Sequence, residues 1–133
     1  MANIYKNAFY DPSVTTPVTV YTVPSNRTAI VKNIQVTNES GNKIVKVSVT
    51  DSSATTDYQI AYMNITGATI CNVAKAPVIL ESGDILKIES SVTSGISAIV
   101  SYLEIFDEKS AWLNWYLYLS KILVLYGNNV KVW

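Results

Sequence analysis

A regular series of turn signals, with no helical pattern between them, is the feature that most constrains the fold. Between residues 24 and 95, clusters of Gly, Asn, Asp, Ser and Pro begin every 12 to 15 residues. The clusters are Pro24-Ser25-Asn26, Glu39-Ser40-Gly41-Asn42, Asp51-Ser52-Ser53, Thr66-Gly67, Glu81-Ser82-Gly83-Asp84 and Ser94-Gly95. This rhythm is typical of an antiparallel sandwich or barrel.

The segments between the turns alternate as strands do. Residues 43–50 alternate most clearly, with three valines on one face. Residues 28–37 form the longest candidate, in which Lys32 interrupts the apolar face and predicts either a sheet edge or a bulge. Residues 96–105 are apolar on both faces, as expected of a central strand. We therefore predict an all-β antiparallel sandwich of about eight strands, of the jelly-roll or immunoglobulin-like kind.

The composition changes near residue 106. All twelve threonines precede residue 94, whereas all three tryptophans and five of the eight leucines follow residue 106. β-Branched residues favour a pleated sheet and leucine favours a helix. The prediction is a β-sandwich over 18–105, an extended N-terminal arm over 1–17 and an apolar C-terminal tail over 106–133.

The tail is apolar at thirteen of the sixteen positions from 111 to 126. It reads either as a helix that is apolar on every side or as a helix followed by a hairpin around Gly127-Asn128-Asn129. A membrane span needs about 20 apolar residues, and Lys121 would lie inside this one. We therefore expect the tail to be buried against the sandwich or another subunit, without membrane contact.

The residue inventory argues against catalysis. The chain has no histidine, so the commonest general base and metal ligand are missing, and Cys71 has no histidine to activate it. Asp51, Glu81 and Asp84 are placed as turn residues, and no loop has the dense spacing of a metal site. We expect no enzyme activity, no cofactor and no metal.

Charge and aromatic residues point to protein partners. The net charge is zero and charged residues make up only 15% of the chain. Such a balance argues against nucleic-acid binding and favours association. Aromatic side chains near the two ends are our candidate subunit contacts, because aromatics provide anchoring area at interfaces. They are Tyr5, Phe9, Tyr10, Trp112, Trp115, Tyr116 and Trp133.

Three strings in the first 105 residues resemble small virion structural proteins of tailed bacteriophages, especially phages of cyanobacteria and other aquatic bacteria. They are Val20–Pro24 followed by Thr28–Asn38, then Leu80–Ile88, then Val100–Ile105. The tail from Phe106 onward departs from the pattern. The resemblance implies a non-enzymatic β-sandwich that is built into the particle.

The expected function is therefore that of a virion structural protein, assembled in the host bacterial cytoplasm. A capsid decoration or cement role is favoured, with neck or tail attachment as the alternative. The expected partners are further copies of the chain, with a trimer favoured, and the major capsid or neck and tail proteins. A carbohydrate-binding module of a host-recognition fibre is a separate hypothesis, which requires tyrosines or tryptophans that converge on one exposed face.

Overall fold

The computed structural model describes residues 3–107, which form nine β-strands. The strands are β1 (Asn3–Tyr10), β2 (Val18–Thr22), β3 (Arg27–Asn38), β4 (Asn42–Asp51), β5 (Thr56–Thr66), β6 (Thr69–Asn72), β7 (Val78–Leu80), β8 (Ile85–Ser90) and β9 (Ile96–Phe106). All strand pairs are antiparallel, in two sheets. The predicted all-β antiparallel sandwich is confirmed.

The strand order distinguishes between the two predicted kinds of sandwich. Sheet A has the order β1-β9-β3-β6, with β7 also paired to β3, and sheet B has the order β2-β8-β4-β5. When β6 and β7 are counted as one interrupted strand, the chain forms four antiparallel strand pairs that follow one another along a folded-back chain. β1 pairs with β9, β2 with β8, β3 with β6 and β7, and β4 with β5. A doubled chain wrapped into two sheets in this way is a jelly roll.

Alternating side chains of both sheets fill the space between them. On the central strands of sheet A, Val31, Val36 and Val100 are fully buried, and Val47 and Ile88 meet them from sheet B. β-Branched residues suit this position because their side chains pack well on a pleated surface. The alternation that predicted the strands is therefore the same alternation that builds the core.

β3 changes its inward-facing parity at Lys32. The pairing of β3 with β9 shifts register between Val31 and Asn33. Ile30 consequently points out of the sandwich, whereas Ile34 points into the core at 1% exposure. Of the two possibilities that the sequence left open, the structure has the bulge.

The N-terminal boundary differs from the sequence prediction. Residues 3–10, which we expected to form an arm outside the sandwich, pair along their whole length with β9 as an edge strand of sheet A. Residues 11–17 form the connection to β2. The tail beyond Asp107 lies outside the described residues. Among the described residues, no helix is long and apolar enough to cross a membrane.

Candidate assembly surface

A row of apolar side chains crosses the outer face of sheet A. Tyr5 of β1 lies opposite Leu103 of β9, which lies opposite Ile30 of β3, which lies opposite Ile79 of β7. Tyr5 and Ile79, at the two ends of the row, are 78% and 68% exposed. Leu103 is only 7% exposed although it is on the outer face and outside the core cluster. Tyr5, Leu103, Ile30 and Ile79 follow one another across four strands, so the row is continuous and apolar.

Four further rows complete this face. Phe9 lies opposite Ile99, which lies opposite Gln35 of β3, and Phe9 is 72% exposed. The remaining rows consist of Asn3, Ile105 and Thr28; Asn7, Ser101 and Asn33; Ser97, Thr37 and Ile70. None of the residues in the rows carries a charge, and Lys32 lies outside them at the bulge. We call this surface the apolar face.

The outer face of sheet B has the opposite character. Lys46 lies opposite Glu89 of β8, and its Nζ is 5.5 Å from the ring centroid of Tyr62. Nearby, Nζ of Lys87 is 3.4 Å from Oδ2 of Asp57. Hydrogen bonds from Thr50 and Lys87 hold the pKa of Asp57 below its ordinary value. The outer face of sheet B therefore carries charged side chains and an ion pair, whereas the paired rows on the outer face of sheet A carry no charged side chain.

A buried carboxylate fixes the edge strand that carries Tyr5 and Phe9. Glu104 of β9 is 2% exposed, and its Oε2 is 2.5 Å from Nη1 of Arg27 and 3.2 Å from Nζ of Lys6. Lys6 belongs to β1, on the face opposite to that of Tyr5. The ion pair adds a side-chain link to the backbone pairing of β1, so it holds the two exposed aromatics at a fixed place on the apolar face.

The pKa values around Glu104 follow from burial and hydrogen bonding. Burial acts to raise the pKa of Glu104, but hydrogen bonds from Arg27, Tyr21 and Lys6 outweigh it and leave the pKa below its ordinary value. Burial and the hydrogen bond to Glu104 raise the pKa of Tyr21. The carboxylate is thus ionised and the phenol protonated at neutral pH, which is the combination that the hydrogen bond requires.

A second apolar feature lies on the side of the sandwich between β5 and the interrupted strand β6–β7. Two adjoining cavities of about 480 Å³ and about 320 Å³ share Ile60 and Val78. The larger one is lined on one side by Ala61 and Met63 of β5 and on the other by Val73 and Val78. We call the two together the lateral groove.

The structure separates the predicted contact residues into three groups. Tyr5 and Phe9 are exposed on the apolar face. Tyr10 is 3% exposed and belongs to the core, because it has the opposite parity on β1, so it is not available for subunit contact. Trp112, Trp115, Tyr116 and Trp133 lie outside the described residues.

The apolar face also contains residues that the sequence analysis did not single out. Ile79, Leu103 and Ile30 complete the row that begins at Tyr5. Of the three, only Leu103 had a local signal, which is the run of apolar residues at both odd and even positions of 96–105. Their grouping depends on strand register, which a single sequence does not show.

The groups that were weighed for chemistry have structural partners. Asp84 is 8% exposed, and its Oδ1 accepts a hydrogen bond of 3.0 Å from the backbone N–H of Ser52. Burial raises the pKa of the Cys71 thiol, which disfavours the nucleophilic thiolate. Among residues 3–107, no group of three or more Cys, Asp or Glu side chains is placed to hold a metal ion.

The chain was compared with known proteins and solved structures. No family model matches it, and no curated protein does. Two crystal structures of a pentameric capsid protein isolated from metagenomic phage sequences are similar to it at 20% identity over 79% of this chain, with TM-scores of 0.41 and 0.42. The chain spans 63% and 61% of their length.

A third similar structure is the virus-like particle of extra small virus of the giant freshwater prawn Macrobrachium rosenbergii. It has 15% identity and a TM-score of 0.29, and the match covers 77% of this chain and 80% of that one.

Proposed function

We propose that this protein is a non-enzymatic structural protein of a phage virion, whose subunits associate through the apolar face. The observation that carries the proposal is the contrast between the two outer faces of the sandwich. A face whose paired rows hold no charge and expose Tyr5, Phe9 and Ile79, with Lys32 at the bulge, indicates an interaction surface, whereas the face with Lys46, Lys87 and Asp57 is suited to solvent.

The apolar face is formed on a rigid support. Its rows lie on strands of a single sheet, and Glu104 ties β1 to that sheet through Lys6. A surface of this kind loses little conformational entropy when a partner binds, which favours association. Tyr5 and Phe9 supply the large aromatic side chains that often carry the binding energy of an interface.

Two further observations support the virion role. The sequence strings described above resemble phage virion proteins, and the strand order is that of a jelly roll, an architecture that occurs in viral capsid domains. Because a fold hosts many functions, the surface and not the fold carries the argument.

Within the particle we propose a capsid decoration or cement role, with neck or tail attachment as the alternative. The tail residues Trp112, Trp115, Tyr116 and Trp133 are proposed as additional contacts, to neighbouring subunits or to the major capsid or neck and tail proteins. The trimer expected from the sequence and a pentamer, as described for the two similar capsid proteins, are separate outcomes of the oligomeric-mass measurement.

A carbohydrate-binding module remains the second candidate function. It is favoured by the exposure of Tyr5 and Phe9 on the same face of β1, since sugars stack on exposed aromatic rings, and jelly rolls also occur in lectins. Glycan-array binding by the full chain that Phe9→Ala abolishes would support it in place of assembly.

Light scattering on the full chain tests the assembly surface. We expect an oligomer whose mass falls to that of the monomer in the variants Phe9→Lys and Tyr5→Lys, because a buried unpaired charge is costly. The matched control is Tyr62→Lys, which replaces a 54% exposed aromatic on the outer face of sheet B and should leave the mass unchanged. A monomeric wild-type chain, or equal dissociation by all three variants, contradicts the proposal.

The virion location requires its own measurement. Mass spectrometry of gradient-purified particles of the phage that encodes the chain should detect the protein, with a copy number fixed relative to the major capsid protein. A copy number in proportion to the shell supports decoration, and six or twelve copies per particle supports the neck or tail. Absence from purified particles excludes the virion role.

A further inference from the structure

The lateral groove lies beside β5, a long edge strand of sheet B. Its lining is mainly apolar and also includes the charged residues Lys75, Asp51, Glu81 and Asp84. β5 has eleven residues and pairs with β4 along one edge only. On the other side of the groove, β6 has four residues and β7 has three, with an interruption between them. Tyr58 and Ile60 of β5 are 53% and 43% exposed. An unpaired edge beside an apolar groove is the arrangement that accepts an added extended segment.

The chain leaves the sandwich beside the mouth of this groove. The backbone N–H of Asp107, the last described residue, donates to the carbonyl of Asn26 at 3.0 Å. The next residue, Arg27, donates its N–H to Oγ of Ser82 at 3.1 Å, and that hydroxyl donates back to the Arg27 carbonyl at 2.7 Å. Glu81, the neighbour of Ser82, lines the groove. Hydrogen bonds from Asp107 to Asn26 and between Arg27 and Ser82 therefore connect the start of the tail to the chain beside the groove.

The tail has the length and the composition to fill the groove. It has 26 residues beyond Asp107, and its apolar run begins at Ala111 after the three polar residues 108–110. The groove extends along residues 58–63 of β5, which is about 20 Å at roughly 3.3 Å per residue, so about six extended residues span it. So short a connection gives the tail a high effective concentration at the groove.

We propose that the first apolar part of the tail, from Ala111 through Tyr116, docks in the lateral groove of its own chain as an extended segment, in place of the helix that its sequence predicts. In this position its backbone pairs with the free edge of β5, and alternate side chains enter the apolar space between Ile60 and Val78. The later part of the tail, from Leu117 onward, remains available for contacts with other proteins. This placement makes Trp112, Trp115 and Tyr116 contacts within the chain, in place of the subunit contacts proposed for them above, and leaves Trp133 for other proteins. The inference uses the groove and not the apolar face, so the assembly surface of Tyr5 and Phe9 stands independently of it.

Tryptophan fluorescence of the full chain tests the inference, since all three tryptophans lie in the tail. Trp133→Phe leaves Trp112 and Trp115 as the only emitters. We expect emission at short wavelength and slow quenching by acrylamide, as for buried indoles. Ile60→Lys places a charge in the groove at an exposed position, so the sandwich tolerates it. It should shift the emission to longer wavelength and raise the quenching constant severalfold. Tyr58→Lys, at the same edge, should do the same.

The matched control is Val14→Lys, which replaces a 45% exposed valine in the connection between β1 and β2, outside the groove and outside the rows of the apolar face. It should leave the emission unchanged. Solvent-exposed emission in the parent, or an unchanged spectrum in both groove variants, overturns the inference.

Dilution distinguishes docking of the tail in the groove of its own chain from docking in the groove of a neighbouring copy. Phe9→Lys in the same background reduces association if the proposed function is correct, and its emission should stay at short wavelength at every concentration. Emission that shifts on dilution would assign the tail to a neighbour's groove and overturn the inference. An oligomer that persists in Phe9→Lys with unchanged emission would contradict the proposed assembly surface and leave the groove assignment intact.

Discussion

The hydroxyl of Tyr21 donates a hydrogen bond of 2.9 Å to Oε1 of Glu104, and this bond joins the two sheets of the sandwich. Tyr21 is on β2 of sheet B and Glu104 is on β9 of sheet A. The ring of Tyr21 also packs on that of Tyr102, with 4.0 Å between their centroids. A polar bond inside an apolar core is specific, because a displacement of the sheets separates the buried carboxylate from the donor that sheet B supplies and leaves it with Arg27 and Lys6 alone.

Neutralising Glu104 should destabilise the protein. In Glu104→Gln, Arg27 and Lys6 lose the carboxylate that pairs them, and a charge-assisted hydrogen bond of this kind contributes about 2 kcal/mol. Urea unfolding at pH 7 measures the change in free energy of unfolding. The control Asp57→Asn removes an exposed pair with Lys87 and should leave the midpoint almost unchanged. Equal effects of the two variants would show that the Glu104 network is not stabilising.

The contribution of Glu104 should disappear in acid. Its pKa in the folded protein lies below the ordinary value of 4.5, so its stabilisation is fully present above about pH 4.5 and is lost as the pH falls through the lower folded value. The difference in unfolding free energy between the wild type and Glu104→Gln should therefore shrink below pH 4.5. Urea titrations between pH 3 and 7 measure it. A difference that is constant with pH contradicts the assignment.

Tyr21 should make the protein sensitive to alkali. Its folded pKa lies above the ordinary value of 10.0, so its stabilisation is fully present below pH 10 and is lost as the pH rises further. Tyr21→Phe should cost about 1 kcal/mol at pH 7 through the lost hydrogen bond. Tyr21→Phe should also reduce the loss of stability in alkali. Part of that loss should persist in the variant, because the pKa values of Tyr10 and Tyr102 are raised as well. Thermal unfolding across pH 8 to 11 measures both effects.

Two glycines provide a matched test of turn geometry. Gly83 has a φ of 86° and Gly41 has a φ of 70°, so alanine at either position costs about 1–2 kcal/mol in backbone conformation. A Cβ at Gly83 would lie 3.1 Å from Cβ and Oγ of Ser52, whereas at Gly41 it meets nothing within 4 Å. Gly83→Ala should therefore be the more destabilising in urea unfolding, because Ser52 also bonds Asp84. The reverse order would contradict the packing at Ser52.

The strands and their boundaries could be predicted largely from the sequence. Strand alternation is a local property, so residues 43–50 already indicated which side of β4 is buried. Lys32 indicated either a sheet edge or a bulge in β3, and the strand register shows the bulge. The N-terminal strand was missed because residues 3–10 show no clear alternation of apolar and polar residues. Only the pairing with β9 shows which of these residues face outward.

The candidate site depended on information that is not local. Tyr5 and Phe9 could be selected from the sequence as contact residues. Tyr10 was wrongly grouped with them, because only the position of β1 in the sheet decides whether its odd- or even-numbered residues face the core. Ile79 and Leu103 are separated from Tyr5 by more than seventy residues, and only strand register brings them into one row.

By itself, the sequence determined that this chain is an antiparallel β-sandwich with few charges, because turn residues and alternation act over a few neighbouring positions. The tertiary structure alone decided the jelly-roll order, the apolar face and the lateral groove. These features arise from pairing between strands that are distant in the chain. The burial of one face of each sheet fixes the strand register, and the register decides which side chains lie together on the outer face.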